Sequence, residues 1–373
     1  MKNCWGRSVG LGLMAIFFAS CVIGGTAPDV FRTYVYVTNA RSGSVSAYAV
    51  DEQTGDLTAV SGSPFAAGTE PRSLTVEPGG QFVYVANFWS DTISAYVIEK
   101  ATGKLTAVTG SPFAAGMGPC SITVDPSGKF VYVANVRSDD IWLYTIDTVT
   151  GALTPTGAPA FIPGDDPGSV AVDPTGHFLF VANEGSGDIS ACSIDTTTGE
   201  LTDILGSPFD AGGFPRFLAI DPEGKFLYAA NSTSTNVAAF VIETGLSELT
   251  PVAGSPFAAG TDPIAIAVDP EGQFAYVANE GSGNVSAYTV NTASGALTAV
   301  SGSPYPVETG PSSVAIDPSG KYVYVANYWS TNISAFSVKS TTGALTEITG
   351  SPFAGVTNVG GNPSAIAVVR LAL

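Results

Sequence analysis

The sequence predicts an all-β fold: a seven-bladed β-propeller with four antiparallel strands per blade. Three observations carry that prediction. The motif Tyr-Val-x-Asn, or a one-residue variant, recurs seven times and ends at Asn39, Asn87, Asn135, Asn183, Asn231, Asn279 and Asn327, each 48 residues after the last. A self-similar period of roughly 20 to 50 residues marks a solenoid, a propeller or an array. Each unit holds four strand-like runs separated by turn signals, the pattern of a propeller blade. The two chain ends carry complementary fragments of one unit.

In the second unit, strand A is Ser73–Val76, ended by Glu77-Pro78-Gly79-Gly80. Strand B runs from Gln81 to Ala86, strand C from Thr92 to Ile98 and strand D from Lys104 to Thr109. The recurrent Asp-Pro-x-Gly suits a type I turn with Pro at its second position, and Thr-Gly marks the turn before strand D. No comparable window has the spacing of a helix. Phe180 replaces the motif Tyr in the fourth unit, and Ala229 replaces the Val in the fifth. Phe65, Phe113, Phe161, Phe209, Phe257, Tyr305 and Phe353 also recur at 48, as plugs between neighbouring blades would. Leu57 and its six equivalents through Leu345 read as core. The first unit has strands B, C and D (Tyr34 to Val60) but no strand A, whereas Asn362 to Val369 reads as an orphan strand A. The C-terminal strand is therefore expected to become the inner strand of the first blade, leaving no open edge.

Only 12% of the 373 residues are charged, about half the usual share, and the mean hydropathy is +0.27. Strands buried on both faces account for this better than membrane helices, because no later segment is a long apolar run. Residues 1–20 differ. Lys2 and Arg7 precede the apolar run Leu11 to Ser20, which reads as an export signal. Phe18-Ala19-Ser20-Cys21 resembles a bacterial lipobox with Cys21 as the lipidated residue; ordinary cleaved secretion is the rival. The expected organisation is signal 1–20, lipidated Cys and tether 21–32, and propeller 33–373. Loss of residues 1–20 removes two cations and no acid, moving the formal charge from −18 to −20. So acidic a surface repels nucleic acid and anionic lipid, leaving a lipid anchor as the membrane contact. Cys120 and Cys192 fall at different strand positions of different units, so no disulfide is expected, and no cysteine cluster suggests a metal.

At Asp-Pro-x-Gly, Tyr-Val-x-Asn and Thr-Gly-x-Leu, across about residues 33–373, the chain resembles the lactonase-type seven-bladed propellers. Their relatives include bacterial 6-phosphogluconolactonase and a fungal carboxymuconate-cyclising enzyme. With Tyr36-Val37-Thr38-Asn39 it also resembles the YVTN-repeat proteins of microbial cell surfaces. The resemblance implies the fold, and these structural motifs imply little about activity. Lactone-acting relatives imply Arg, Glu and His facing the channel. The single histidine, His177, stands in an A–B turn on the opposite face, so no catalytic residue is carried across.

In a propeller, the D–A and B–C loops share one face around the channel. Lys100, Lys104, Lys129, Lys225, Lys321 and Lys339 lie in or beside A–B and C–D turns, whereas Arg41, Arg72, Arg137 and Arg216 lie in B–C or D–A loops. The B–C loops also carry the main departures from the consensus: Phe88-Trp89 and Tyr328-Trp329, on the blades flanking the first. The expected ligand-binding residues are Arg41, Arg72, Phe88, Trp89, Arg137, Tyr328 and Trp329, since aromatic faces beside guanidinium groups suit sugars, aromatic acids or anionic groups. Glu184 and Glu280 are weak candidates for a catalytic base, and Asp166 and Asp262 mark the entrances to strand A. The recurrent Asp125, Asp173, Asp221, Asp269 and Asp317 precede Pro and are expected to accept backbone N–H bonds, not to hold a metal.

Together these observations point to an exported, lipid-anchored, monomeric propeller that binds a small molecule, glycan or envelope protein without a cofactor. A lactone hydrolase is the alternative, and a passive structural surface protein the second.

Overall fold

The computed structural model describes residues 31–157, 159–243, 248–354 and 361–373; the expected signal, Cys21 and most of the tether lie outside them. The described residues form seven antiparallel sheets, six of them each drawn from one 48-residue unit and the first from both chain ends, with a three-residue 3-10 turn at Ser232–Ser234. In blade 2, strand A is Pro71–Val76, B Phe82–Asn87, C Thr92–Glu99 and D Lys104–Ala107, in the order A-B-C-D. The first described strand is Phe31–Asn39.

The recurrent Phe does more than plug. Phe113–Ala114 forms a two-residue strand E that pairs with the start of strand C, and five other blades repeat this. In blade 3 only an isolated bridge, Ile141 to Phe161, takes its place. Two residues are too few to show a strand period, which is why this element is not legible as a strand.

The ring closes as expected. The C-terminal strand, Pro363–Ala372, pairs antiparallel with Phe31–Asn39 along its length and completes the first blade. Ser312 Oγ donates to Pro363 O (2.7 Å) and Ser364 Oγ to Pro71 O (2.6 Å), tying this strand to blades 7 and 2.

Each blade buries one face against the next, so among the described residues the hydrophobic core falls into seven clusters shared by adjacent blades. The repeat motif explains the spacing. Its Tyr reaches the Thr-Gly turn of the following blade: Tyr36 Oη donates to Gly103 O (3.0 Å), and Tyr324 Oη to Gly55 O (2.9 Å) across the closure. That turn needs glycine. Gly103 has φ +74, and a Cβ there would lie 2.3 Å from the Tyr34 ring. Phe180 has no hydroxyl for this bond, and residues 244–247 lie outside the described set. The aspartates of Asp-Pro-x-Gly do accept backbone hydrogen bonds: Asp125 Oδ1 takes the N–H groups of Lys129 (2.8 Å) and Phe130 (2.7 Å).

Burial pushes the phenols of Tyr36, Tyr84, Tyr132, Tyr228, Tyr276 and Tyr324 well above their ordinary value of 10.0. Below that value both folded and unfolded chains keep these protons. Above it the unfolded chain ionises first, so stability falls as pH rises. Alkaline titration is expected to show the main phenolate absorbance rising together with loss of β-sheet circular dichroism. Full tyrosine ionisation in a still-folded protein would contradict this packing.

Candidate functional site

The motif Asn builds the face on which the variable residues stand. Asn87 is fully buried at the end of strand B; its Nδ2 donates to Thr92 Oγ1 (3.2 Å) and Ser94 Oγ (3.0 Å), while its Oδ1 accepts Gly68 N–H (3.1 Å). The same carboxamide thus joins the B–C loop to the preceding D–A loop. The third B–C loop residue is Ser in all seven blades, and Ser90 Oγ accepts Thr69 N–H (3.1 Å). The fourth loop residue is Gly, Asp or Thr, and wide variation falls on the first two loop residues and on the residue before the strand-A proline.

Those positions compensate one another. In blades 4 and 6 the residue before Pro is Asp166 or Asp262, and the loop carries Gly185 or Gly281; a Cβ on either glycine would lie 2.7 or 2.5 Å from that carboxylate. In blades 3 and 7 the arrangement is reversed. A Cβ on Gly118 would meet Arg137 Cγ at 2.7 Å, and one on Gly310 would meet Trp329 Cδ1 at 2.1 Å. One side chain fills the space in each of these four blades, and Arg137 and Trp329 are each seated on a glycine opposite.

The seven expected ligand-binding residues resolve into three groups. Blade 2 forms an alternating stack with blade 3. Arg72 lies 3.4 Å over the Phe88 ring, Phe88 meets Trp89 edge-on at 4.8 Å, and Arg137 lies 5.1 Å from the Trp89 ring. Both guanidinium groups are engaged by acid: Arg72 with Glu70 (2.7 Å) and Arg137 with Asp91 (3.8 Å). These carboxylates were not singled out in the sequence, because Glu70 and Asp91 reach the arginines from a left-handed backbone (φ 54 and 51) that spacing does not reveal. Across the first blade, Tyr328 and Trp329 repeat the edge-on pair at 4.8 Å, and Trp329 Nε1 donates to Glu280 Oε1 (3.3 Å). Arg41 stands apart from both in an open cleft of about 410 Å³ between blades 1 and 2, with Ser42, Thr69, Glu70 and Ser90 among its walls.

Glu184 differs from Glu280 despite their identical Glu-Gly-Ser-Gly loops. Its Oε1 accepts from Ser232 Oγ (3.1 Å) and lies 3.4 Å from Arg216 Nη1 of the next blade. On the opposite face, exposed His177 contacts Thr175 Oγ1 through Nδ1 (2.9 Å), Lys225 pairs with Glu223 and Lys100 reaches Gly79 O. Cys120 and Cys192 are free thiols; burial pushes Cys120 up to about 12 and Cys192 higher still. Among the described residues no three His, Cys, Asp or Glu side chains come together as a metal-ligand set.

A sequence profile of the family described as lactonase, 7-bladed beta-propeller, matches residues 30–120, 109–209, 208–260 and 250–358. None of the curated proteins compared matches the chain. Among solved structures, a putative 6-phosphogluconolactonase from Bacteroides fragilis is similar, with 24% identity, TM-score 0.77 and coverage of 91% of this chain and 98% of its own. Another from Bacteroides uniformis has 22% identity and TM-score 0.79, covering 91% and 99%. A periplasmic gluconolactonase of Pseudomonas aeruginosa has 20% identity and TM-score 0.75, also covering 91% and 99%. At these identities the likeness to solved structures is one of fold.

Proposed function

We propose that this chain, which belongs to the lactonase, 7-bladed beta-propeller family, is an exported, lipid-anchored binding module of the cell envelope that holds a glycan on the rim of its B–C and D–A loops. One observation carries the reading. The aromatic pairs that depart from the repeat stand on that rim, where Trp89 and Trp329 are 54% and 64% exposed on loops that share the motif Asn and the third-position Ser. Indoles left more than half exposed on a rigid ring suit the apolar faces of sugars. The apolar run ending at Cys21 supports export and acylation. That a periplasmic gluconolactonase shares the fold is consistent with life outside the cytoplasm.

Lactone hydrolysis is the second reading, favoured by the Glu184, Arg216 and Ser232 cluster: a carboxylate able to serve as base beside a guanidinium able to hold an oxyanion. Purified protein assayed in parallel against gluconolactones, 6-phosphogluconolactone and envelope glycan fragments separates the two. Saturable glycan binding without turnover is expected. Lactone turnover that disappears in Glu184→Gln would overturn the binding reading, and neither binding nor turnover would leave a structural surface protein.

A further inference from the structure

The two aromatic corners flanking blade 1 are built alike and charged differently. At the blade 2 corner the chain supplies its own cations: Arg72 covers Phe88 and Arg137 covers Trp89. At the blade 7 corner the residue equivalent to Arg72 is Ser312, whose Oγ is directed to Pro363 O and Ala326 O. The residue equivalent to Arg137 is Arg41, and among the described residues no ion pair or ring contact holds it over Trp329. Asp91, which draws Arg137 across, is replaced by Thr331, and the cradling Gly118 by Asn362. Trp329 is nevertheless fixed. Tyr328 meets it edge-on, Gly310 seats it and Glu280 accepts its indole N–H, while 64% of the residue stays open.

We infer that the Tyr328–Trp329–Glu280 corner is a subsite for an organic ammonium group, which takes over Trp329 the place that Arg137 takes over Trp89. The inference rests on the reading of this rim as a glycan-binding surface and narrows the ligand to a glycan bearing a free amino group. An indole face attracts a cation through its quadrupole. Glu280 spends one oxygen on the Trp329 N–H and offers the other to an N–H donor. A neutral N-acetyl group could still donate its amide N–H to Glu280, but it would lose both the attraction to the indole face and the charge assistance of the hydrogen bond.

The test compares glucosamine oligomers, their N-acetylated counterparts and tetramethylammonium, followed by calorimetry and tryptophan fluorescence. The amine oligomer is expected to bind about tenfold more tightly than the acetylated one, with binding lost in Trp329→Leu. Glu280→Gln, which keeps an acceptor for the indole N–H, is expected to weaken binding about fivefold, with unchanged circular dichroism in both variants. Equal affinity for amine and N-acetyl oligomers would overturn the ammonium subsite and leave the glycan surface standing. Quenching by tetramethylammonium that depends on Trp329, without binding of either oligomer, would support the cation corner and overturn the glycan reading. Amine binding that persists in Trp329→Leu would show only attraction to an acidic surface and would overturn the subsite.

Discussion

Deleting Pro363 to Leu373 is expected to abolish the folded ring. The segment is the inner strand of blade 1, and without it Phe31–Asn39 loses a ladder partner along its whole length. Ile366 and Leu371 are 7% and 3% exposed, and burial of two such side chains is worth about 3–6 kcal/mol. That is already a large share of the roughly 5–15 kcal/mol by which domains are stable. The loss also breaks the links from Ser312 to Pro363 and from Ser364 to Pro71, opening both blade interfaces at the closure. The newly bared strand edge would pair between molecules. Thermal melting and light scattering check this: no cooperative transition and visible aggregation are expected. A truncated chain melting within a few degrees of the intact one would refute the closure.

Replacing Trp89, Trp329 and Arg41 together by Ala is expected to raise the glycan dissociation constant at least about 100-fold while leaving the fold intact. Aromatic anchors in a binding surface commonly cost about 2 kcal/mol or more each when truncated. All three side chains are exposed, so the core loses little. Arg41 contributes an accessible guanidinium in the 410 Å³ cleft, whereas Arg72 and Arg137 are engaged by Glu70 and Asp91. Calorimetric titration beside a melting curve reads both quantities. Undiminished binding in the folded triple variant would remove this rim from the account.

The architecture was legible because propeller packing repeats its contacts. Every Tyr-to-Thr-Gly bond crosses one blade interface, so Tyr36 and Gly103, or Tyr276 and Gly343, recur at a common offset that the sequence displays. The closing strand was legible because a missing strand A at one end and a spare one at the other admit a single repair. The rim was only half legible. The Phe88-Trp89 and Tyr328-Trp329 pairs stand out from the repeat, but their partners depend on loop backbone. Glu70 turns back to Arg72 through a left-handed residue, and Glu184 reaches Arg216 and Ser232 of the next blade. A usable signal was nevertheless present: Asp before Pro accompanies Glu-Gly in blades 4 and 6, and Gly before Pro accompanies Val-Arg and Tyr-Trp in blades 3 and 7. Each pairing records which of two side chains fills the same space.

The most direct test of the account is hydrogen-exchange footprinting of the intact protein with and without a bound glycan oligomer. Protection confined to loops around Arg41, Trp89, Arg137 and Trp329, with no hydrolysis of gluconolactones in a parallel assay, is the predicted result. Protection on the turns around Lys129, His177 and Lys225, or turnover without rim protection, would contradict it.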